Sequence, residues 1–263
     1  MVVYLMPYKV VACGLSDIGL VRQNNEDVWA QLPDIGFYVL ADGMGGHQAG
    51  EVAAREAVNA LCRVLSKKLG PAKEEAALSE IKELLRRAIV HVNGLVYKMG
   101  RARQDLRGMG TTLCCLLFHS KGLIFAHVGD SRIYRFRGKK LEQLTKDHSL
   151  LRELVDQGQI DEQQATDFLY KNIITKAIGT EPKVDPSVDS REMRNNDVYL
   201  MCSDGLSDLL TCREIETTLQ HSPTLCDAAE NLVALANEKG GRDNITVVIV
   251  KVEGLHERKD LSR

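Results

Sequence analysis

The order of the apolar runs along the chain constrains the fold more than any other feature. Strand-like runs at residues 8–19 and 36–43 precede two long amphipathic helices, predicted over 49–70 and about 74–99. In the second helix, apolar residues recur at spacings of three and four, which is typical of a helix with one buried face. Strands and helices therefore come in blocks and do not alternate singly. This order favours an α+β fold, with antiparallel sheets covered by helices, over a doubly wound parallel sheet.

The rest of the chain continues this blockwise order. Residues 110–145 contain short β-rich runs separated by turn sequences, and they predict a meander of antiparallel strands. The stretch from 146 to about 180 is helical in pattern but polar, and we interpret it as a flap inserted over a site. The pattern ends with a strand, two helices and a last strand, at 197–205, 212–220, 224–238 and 244–252. We therefore expect one domain over 8–253, followed by a charged tail at 254–263.

Composition gives no sign of a nucleic-acid-binding or membrane protein. The 34 basic and 36 acidic residues give a formal net charge of −2, whereas nucleic-acid binding favours a basic excess. No run approaches the roughly 20 apolar residues of a membrane span, and no basic segment precedes the apolar start as in a signal peptide. The seven cysteines form no C-x-x-C pair, and several lie within apolar runs. We expect buried thiols in a reducing compartment and a cytoplasmic location.

Four aspartates adjoin the ends of predicted core strands. They are Asp42, Asp130, Asp204 and Asp243. Carboxylates that converge at rigid strand ends repel one another strongly unless a cation neutralises them. An all-oxygen donor set without a histidine or cysteine cluster favours Mg²⁺ or Mn²⁺ over Zn²⁺. Gly43 follows Asp42 and has no Cβ, so its carbonyl can approach a metal. For any single Asp-Gly pair, the alternative is a simple turn or helix cap.

Several phosphate-handling motifs are absent from the sequence. No cysteine has an arginine six positions later, which excludes the C-x₅-R loop of cysteine phosphatases. A P-loop and a G-x-S-x-G elbow are also absent. The sequence therefore offers no nucleophilic motif for a covalent phosphoenzyme. Arg22 is a side chain suited to bidentate contact with phosphate or carboxylate, although a surface arginine alone carries little weight.

Seven motifs follow one another in order: "SDIGLVRQNNED", "VLADGMGGHQAGE", "GMGTTL", "AHVGDSRIY", "DHS", "LMCSDGLSD" and "GGRDNITVVIV". Together they resemble the type 2C metal-dependent protein phosphatase (PPM) family in its compact bacterial form, over about residues 10 to 252. The resemblance implies a four-layer α/β/β/α sandwich of two antiparallel sheets flanked by helices. It also implies hydrolysis of phosphoserine and phosphothreonine in proteins, by direct attack of a water or hydroxide that bridges two metals.

The resemblance assigns roles to individual residues. Asp42 matches the carboxylate that bridges two Mn²⁺ or Mg²⁺ ions, and Gly43 matches the residue that offers its carbonyl to one of them. Asp204 and Asp243 match ligands of the first metal. Glu26 matches the acid that serves the second metal, and Asp130 matches a ligand of a third, weaker metal. Arg22 matches the clamp on the substrate phosphate. Asn244 and Asp27 match supporting residues. Implied partners are phosphorylated proteins, such as a bacterial Ser/Thr kinase and its substrates, and we expect a monomer.

Histidine placement departs from one pattern in the family. Eukaryotic members often have a histidine directly after Asp-Gly, proposed as the general acid, and Met44 stands there in this chain. We favour a structural role for His47 at the start of the next helix and name no general acid. His148 lies where the predicted flap begins, and His91 and His119 have no special placement.

Three alternatives remain open at this point. The first is a partner-switching stress-response phosphatase that acts on one regulatory protein. The second is a pseudophosphatase that binds phosphoproteins without turnover; it would require lost metal ligands, whereas every expected aspartate is present. The third is a hydrolase of small phosphate esters that uses the same metals.

Overall fold

Two antiparallel β-sheets stack face to face in the computed structural model, which describes residues 8–45, 49–161 and 173–255. The strands are β1 Tyr8–Asp17, β2 Asp27–Leu32, β3 Phe37–Met44, β4 Gly110–Thr111, β5 Leu113–His119, β6 Gly122–Val128, β7 Arg132–Arg137, β8 Lys140–Gln143, β9 Ser187–Arg191, β10 Val198–Cys202 and β11 Ile245–Leu255. One sheet has the order β1-β11-β10-β7-β8. The other has the order β2-β3-β5-β6-β9, and β4 pairs with β3.

Helices cover the outer face of each sheet. They are α1 Ala49–Lys68, α2 Leu78–Ala102, α3 Leu150–Asp156, α4 Asp204–Ser207, α5 Cys212–His221 and α6 Leu225–Glu238. Helices α1 and α2 pack on the sheet that contains β3, and α5 and α6 pack on the sheet that contains β11. The predicted α+β sandwich of four α/β/β/α layers is confirmed.

Strand β3 explains why the core strands read as unbroken apolar runs. Phe37 and Val39 pack against the helix layer, whereas Tyr38 and Leu40 pack against the opposite sheet. Successive side chains of a strand point to opposite faces. Because both faces of this strand are buried, no polar alternation remains in its sequence.

Aromatic contacts join the two sheets. The ring of Phe118 on β5 lies edge-on to Tyr38 on β3, with centroids 5.9 Å apart, and to Tyr199 on β10, at 5.8 Å. Edge-to-face packing of this kind contributes roughly 0.5–1.5 kcal/mol beyond the area buried. The sheets are therefore held at a fixed spacing, which matters because functional residues come from both of them.

Some predicted elements differ from the structure. Strands β2 and β9 are not predicted from the sequence. They lie at the two edges of one sheet, where short strands need little apolar sequence. The predicted second helix starts at Leu78 instead of about 74, after a short 3₁₀ turn. The predicted meander is two hairpins in different sheets: β5–β6 belong to one sheet and β7–β8 to the other. The chain crosses between the sheets at residues 129–131.

The predicted flap is helical only in part. Within its described residues, α3 is the sole helix, and residues 173–180 are not helical. Ile174 forms an isolated β-bridge with Ser149, and Ile178 forms one with Thr111. The β-branched residues of this segment favour extended backbone, which a helical reading of the polar pattern overlooked. Residues 162–172 of the predicted flap lie outside the described part of the chain.

The cysteines depart from the prediction at two positions. Cys13 on β1 and Cys226 on α6 form a disulfide with Cα atoms 5.4 Å apart. The expectation of thiols throughout is therefore wrong for this pair, whose members are 213 positions apart and meet only because α6 packs on β1. Cys114, Cys115 and Cys202 are free and buried, as predicted; two further free cysteines, Cys62 and Cys212, are partly or fully exposed.

The last strand runs slightly beyond its predicted end. Strand β11 continues to Leu255, three residues past the predicted strand end at 252. Most of the predicted tail, from residue 256 onward, lies outside the described residues. In the ranges given above, no helix is both long enough and apolar enough to cross a membrane.

Candidate metal centre

Strand pairing brings the predicted acids to one end of the sandwich. Asp27 at the start of β2 lies directly opposite Asp42 near the end of β3, and Glu26 comes just before Asp27. Asp204 follows β10, and Asp243 lies two residues before β11, its antiparallel neighbour. In an antiparallel pair the end of one strand meets the start of the next. The topology therefore gathers these residues from distant parts of the sequence.

The acids share a cavity of about 300 Å³. Its lining residues are Arg22, Glu26, Asp42, Gly43, Met44, Gly45, Ile174, Asp204, Asp243 and Asn244. Asp130 lies outside this cavity, in a neighbouring pocket of about 80 Å³ that shares Asp204 as a lining residue. Among the described residues, no three acid, imidazole or thiol side chains form a compact metal cage. The structure thus brings the predicted ligands around common space, with Asp130 adjoining it.

Burial and mutual repulsion raise the pKa values of Asp27, Asp42, Asp130 and Asp204. Burial is the largest cause for Asp42, whose pKa lies well above its usual value, and repulsion from Asp27 and Asp204 adds to it. The pKa of Asp204 rises to about 8, through burial and then repulsion from Asp130 and Asp243. Burial raises the pKa values of Asp27 and Asp130 to about 6 each. The cluster therefore holds more negative charge than its surroundings stabilise.

A close backbone approach requires glycine beside two of the acids. A Cβ on Gly43 would lie 2.2 Å from the carbonyl oxygen of Gly50 and 2.8 Å from that of Glu26. A Cβ on Gly205 would lie 2.0 Å from the carbonyl oxygen of Asn244. These distances are too short for any side chain. Glycine after Asp42 and Asp204 thus allows neighbouring backbone segments to pack against the acids, a role that the sequence analysis did not foresee.

Two threonines fix the backbone of Asp42. The amide of Thr112 and the hydroxyl of Thr111 both donate to the Asp42 carbonyl oxygen at 2.8 Å. The Asp42 amide donates to the Thr112 hydroxyl at 3.0 Å, and that hydroxyl also shares a 2.7 Å hydrogen bond with Ser131. Ser131 directly follows Asp130. A single buried hydroxyl therefore connects the two neighbouring groups of acids.

Asn244 joins the loop of Arg22 to the start of β11. Its Oδ1 accepts from the Glu26 amide at 2.8 Å, and its Nδ2 donates to the carbonyls of Ile18 and Asn24 at 3.0 and 2.9 Å. The Asn244 amide also donates to the Asp243 carboxylate at 2.8 Å. These four contacts hold the backbone around the cavity.

Arg22 lies at the border of the cavity and contacts an acid. Its Nη2 donates to Oδ2 of Asp243 at 2.6 Å, and its side chain is 54% exposed. This hydrogen bond is the main cause of the raised pKa of Arg22. The remaining donors of the guanidinium leave it able to contact an anion in the cavity.

Asp27 is buried behind the cavity wall. Its Oδ2 accepts from the Ser203 hydroxyl at 2.8 Å, and Ser203 in turn accepts from the amide of Thr246 at 3.0 Å. Ser203 was missed from the sequence, as was Ser131. The available signal was a small hydroxyl residue next to a strand-end aspartate in both "CSD" and "GDS".

His148 supports the loop that carries Asp130. Its backbone amide donates to the Gly129 carbonyl at 3.0 Å, and its Nδ1 accepts from the Gly129 amide at 3.2 Å. Its Nε2 is 3.0 Å from the Ser187 hydroxyl, and its ring stacks on His127 at 4.5 Å. Burial lowers the pKa of His148 to about 3. The imidazole is therefore neutral, and each of its ring nitrogens has a hydrogen-bond partner.

Neither His119 nor His91 lines the cavity. His119 is buried, and its Nε2 lies 2.8 Å from the carbonyl of Lys73. His91 borders a surface groove between α1 and α2. Met44 lines the cavity and occupies the position directly after Asp-Gly where eukaryotic members often have a histidine. His47, for which a helix-start role was expected, lies outside the described residues.

Comparison with known proteins decides the family. Residues 19–246 match the family model described as "Protein phosphatase 2C". The chain belongs to this family. The serine/threonine phosphatase stp of Listeria monocytogenes is 38% identical to this phosphatase over 253 residues, which cover 94% of the present chain and 98% of the relative.

Solved structures of bacterial phosphatases superpose closely on this phosphatase 2C. The S. agalactiae serine/threonine phosphatase gives a TM-score of 0.86 at 38% identity, covering 93% of this chain and 100% of that one. The catalytic domain of the serine/threonine protein phosphatase PstP in complex with two manganese ions gives 0.81 at 38% identity, with 93% and 99% covered. The predicted family, sandwich fold and enzyme class, a metal-dependent serine/threonine protein phosphatase, are confirmed.

Proposed function

We propose that the 300 Å³ cavity is the catalytic metal centre of this phosphatase. In this proposal Asp42, Asp204 and Asp243, with Glu26 and the Gly43 carbonyl, hold two Mn²⁺ or Mg²⁺ ions. Asp130 and Asp204 would hold a third, weaker ion. One observation carries the proposal: carboxylates from four separate chain segments border one cavity together with one arginine.

The chemistry of the donor set fits hard divalent cations. All the side-chain donors are oxygen atoms, which suits Mn²⁺ and Mg²⁺. Burial, and then repulsion among the acids, raises the pKa values of Asp42 and Asp204, and a bound cation relieves such repulsion. Oδ1 of Asp130 is buried without a hydrogen-bond partner in the described part of the structure, which leaves a lone pair for a ligand. These observations support the proposal.

The residues of the chain provide binding and positioning for phosphoryl transfer to water. Bound divalent cations supply an activated water nucleophile and charge neutralisation. Arg22 is proposed to donate to the oxygens of the phosphoryl group, where negative charge must be stabilised. Thr111 and Thr112 hold the backbone of Asp42 in place, and Asn244 holds the loop of Arg22 against Asp243. The catalytic groups thus rest on rigid strand ends, which preserves their alignment.

No histidine of the described residues is proposed as general acid. Gly129 and Ser187 occupy the two ring nitrogens of His148. Its neutral ring carries no proton to give at Nδ1, since that atom accepts a hydrogen bond. Its proposed role is to hold the Gly129–Asp130 turn.

The substrates are proposed to be phosphorylated proteins, with a bacterial Ser/Thr kinase as the opposing enzyme and a monomer as the working form. Relatives that span nearly the whole chain are named serine/threonine phosphatases, which supports this class of substrate. The phosphatase domain is proposed to extend over 8–253.

A cytoplasmic location is supported by the buried free thiols of Cys114, Cys115 and Cys202, while the Cys13–Cys226 disulfide is the observation against it.

The decisive experiment is a phosphopeptide assay with a metal titration. We expect release of phosphate from phosphoserine and phosphothreonine peptides that requires Mn²⁺ or Mg²⁺ and stops with chelator. Asp204→Asn should lower kcat at least about a hundredfold, since it removes a charged metal ligand. Asp105→Asn, at an exposed surface ion pair, is the matched control and should leave kcat unchanged. Turnover without divalent metal, or full activity of Asp204→Asn, would contradict the proposal.

The same assay separates the alternatives. Turnover of one regulatory phosphoprotein alone would identify a partner-switching phosphatase. Turnover of small esters without any phosphopeptide would identify a small-molecule hydrolase. Phosphopeptide binding without phosphate release would identify a pseudophosphatase.

A further inference from the structure

Among the described residues, most of the exposed large aliphatic side chains lie on two chain segments that lead to the cavity lining. Leu20 and Val21 are 68% and 64% exposed, and Ile18 is 39% exposed. All three lie in the loop between β1 and β2, shortly before Arg22. On a second segment Ile173 is 45% exposed, and the next residue, Ile174, lines the cavity. We call Leu20, Val21 and Ile173 the aliphatic rim.

The rim is held by backbone hydrogen bonds, so its exposure is built into the fold. The amide of Leu20 donates to the Gly241 carbonyl at 2.7 Å, and the Ile18 carbonyl accepts from Asn244 at 3.0 Å. On the other segment, the carbonyl of Ile173 accepts from the Leu150 amide at 2.8 Å. Because these bonds fix the backbone, the segments cannot rotate to bury their aliphatic side chains.

Glycine packing supports the same view of the loop. Gly19 has a φ of +78°, and a Cβ there would lie 2.2 Å from the carbonyl oxygen of Asp243. The loop is therefore packed directly on the backbone of a proposed metal ligand. Single exposed aliphatic residues are ordinary on protein surfaces. Aliphatic residues on two anchored segments that both border one cavity indicate a contact surface.

The position of the rim decides its occupant. Val21 directly precedes Arg22, and Ile173 directly precedes Ile174, so both segments run from the rim to the cavity lining. Consecutive Cα atoms of a peptide are only about 3.8 Å apart, so the neighbours of a phosphorylated residue in the cavity lie at its border, where both segments run. Residues 18–21 and 173–175 carry no charged side chain. The rim thus offers uncharged aliphatic surface where the neighbours of the phosphorylated residue would lie.

We propose that the aliphatic rim contacts an aliphatic side chain adjacent to the phosphoserine or phosphothreonine, so that the enzyme selects phosphopeptides with Leu, Ile or Val beside the modified residue. The inference rests on the proposed function of the cavity and adds a preference to it. Arg22 binds the phosphate, and the rim buries the neighbouring side chain. Burial of one or two methylene-sized groups corresponds to about a four- to fifteenfold preference in kcat/KM.

The test compares three phosphothreonine peptides that differ only in the two residues flanking the phosphothreonine: Leu, Gly or Glu. For the wild-type enzyme with Mn²⁺, we expect kcat/KM for the Leu peptide to exceed that for the Gly peptide about four- to fifteenfold, and the Glu peptide to be poorer still. In the double variant Leu20→Ser and Val21→Ser, this ratio should fall to near one. The ratio is independent of how much folded enzyme each sample contains.

Two further variants complete the design. Leu20→Met keeps a flexible aliphatic side chain and should retain the preference. Leu95→Ser is the matched control, because Leu95 is a 42% exposed aliphatic residue on α2 and lies outside the rim and the cavity lining. It should retain the wild-type ratio. Loss of the preference in the Leu95 control would overturn the assignment to the rim.

Other outcomes are also decisive. Equal kcat/KM for the three peptides in the wild type, or an undiminished preference in the double variant, would overturn the inference while leaving the phosphatase activity established. Absence of metal-dependent turnover on every peptide and on p-nitrophenyl phosphate would overturn the proposed function and the inference together. A wild-type dimer that the double variant dissociates in sedimentation would assign the rim to contact between two copies of the chain and overturn the inference.

Discussion

The guanidinium of Arg22 donates a 2.6 Å hydrogen bond to the carboxylate of Asp243, although the two residues are 221 positions apart in sequence. The contact places the proposed phosphate clamp and a proposed metal ligand at the same border of the cavity. It also gives Arg22 two separable tasks, to bind an anion and to orient Asp243. Asn244 supports this junction from behind, through its bonds to the Arg22 loop and to Asp243.

Substitution of Arg22 tests which task dominates. We predict that Arg22→Ala raises KM for a phosphothreonine peptide about tenfold or more, because charge-assisted bonds to phosphate are lost. The Mn²⁺ concentration for half-maximal activity should change less than KM. Arg22→Lys retains the charge without the bidentate fork, so its KM should lie between the KM values of the wild type and Arg22→Ala. A shift in the metal requirement that exceeds the shift in KM would assign Arg22 mainly to the orientation of Asp243.

Removal of the Asn244 side chain should weaken the fold and the site together. Its side chain makes three hydrogen bonds to backbone groups, so Asn244→Ala should lower the free energy of unfolding by about 2–3 kcal/mol. Urea denaturation with chelator measures this loss. Asn231 is the matched control, because it makes one exposed bond to Ser222, and Asn231→Ala should cost less than about 0.5 kcal/mol. Similar losses for the two variants would contradict the supporting role of Asn244.

The hydroxyl of Thr112 should matter for turnover beyond its effect on stability. Thr112→Val keeps the shape but leaves the Asp42 amide and the Ser131 hydroxyl without this partner. We predict that kcat falls about tenfold and that the Mn²⁺ requirement rises, because Asp42 is no longer held in register. Thr112→Ser restores the hydroxyl and should recover most of kcat. Equal kcat for the Val and Ser variants would exclude the positioning role.

The acids should make the chelated protein less stable as the pH rises. In the folded state these acids bind protons more tightly than at their ordinary pKa of 3.8. Their protonation therefore stabilises the folded state, and this contribution is fully present below pH 3.8. It is lost as the pH rises through about 6 for Asp27 and Asp130 and about 8 for Asp204. Thermal unfolding with chelator should show Tm lower by about 4 °C or more at pH 8 than at pH 5.

Two comparisons check that the cluster causes this pH dependence. Asp204→Asn removes one of the repelling charges, so its Tm should depend less on pH than that of the wild type. Addition of Mn²⁺ at pH 8 should raise the wild-type Tm, because a ligand that binds the folded state stabilises it. Identical pH profiles for the wild type and Asp204→Asn would contradict the attribution to these acids.

The sequence predicted the parts of the fold that leave a local pattern. Long runs buried on both faces, such as β3 and β11, and helices with one apolar stripe were found almost at their bounds. The edge strands β2 and β9 were not found, because strands at sheet edges need only a few buried residues. The segment 173–180 was misread as helical, since its extended conformation depends on bridges to Ser149 and Thr111 that no local pattern encodes.

The candidate site was predictable to a similar degree. Strand-end aspartates were visible in the sequence, and the topology brings Asp42, Asp204 and Asp243 to one cavity. The residues that hold them were harder to identify, because Ser131 and Ser203 act through contacts between segments far apart in sequence. The disulfide between Cys13 and Cys226 was invisible for the same reason. Long-range contacts set these features, and composition and spacing do not report them.

The central claim is that the strand-end acids form a divalent metal site that serves phosphate hydrolysis. Its most direct test measures Mn²⁺ binding by titration calorimetry and phosphothreonine-peptide turnover on the same samples of wild type and Asp42→Asn. We predict at least two Mn²⁺ per wild-type chain, with turnover that follows their binding. In Asp42→Asn we predict weaker Mn²⁺ binding and turnover at least about a hundredfold lower. Wild-type turnover that persists in chelator, or unchanged Mn²⁺ binding and turnover in Asp42→Asn, would contradict it.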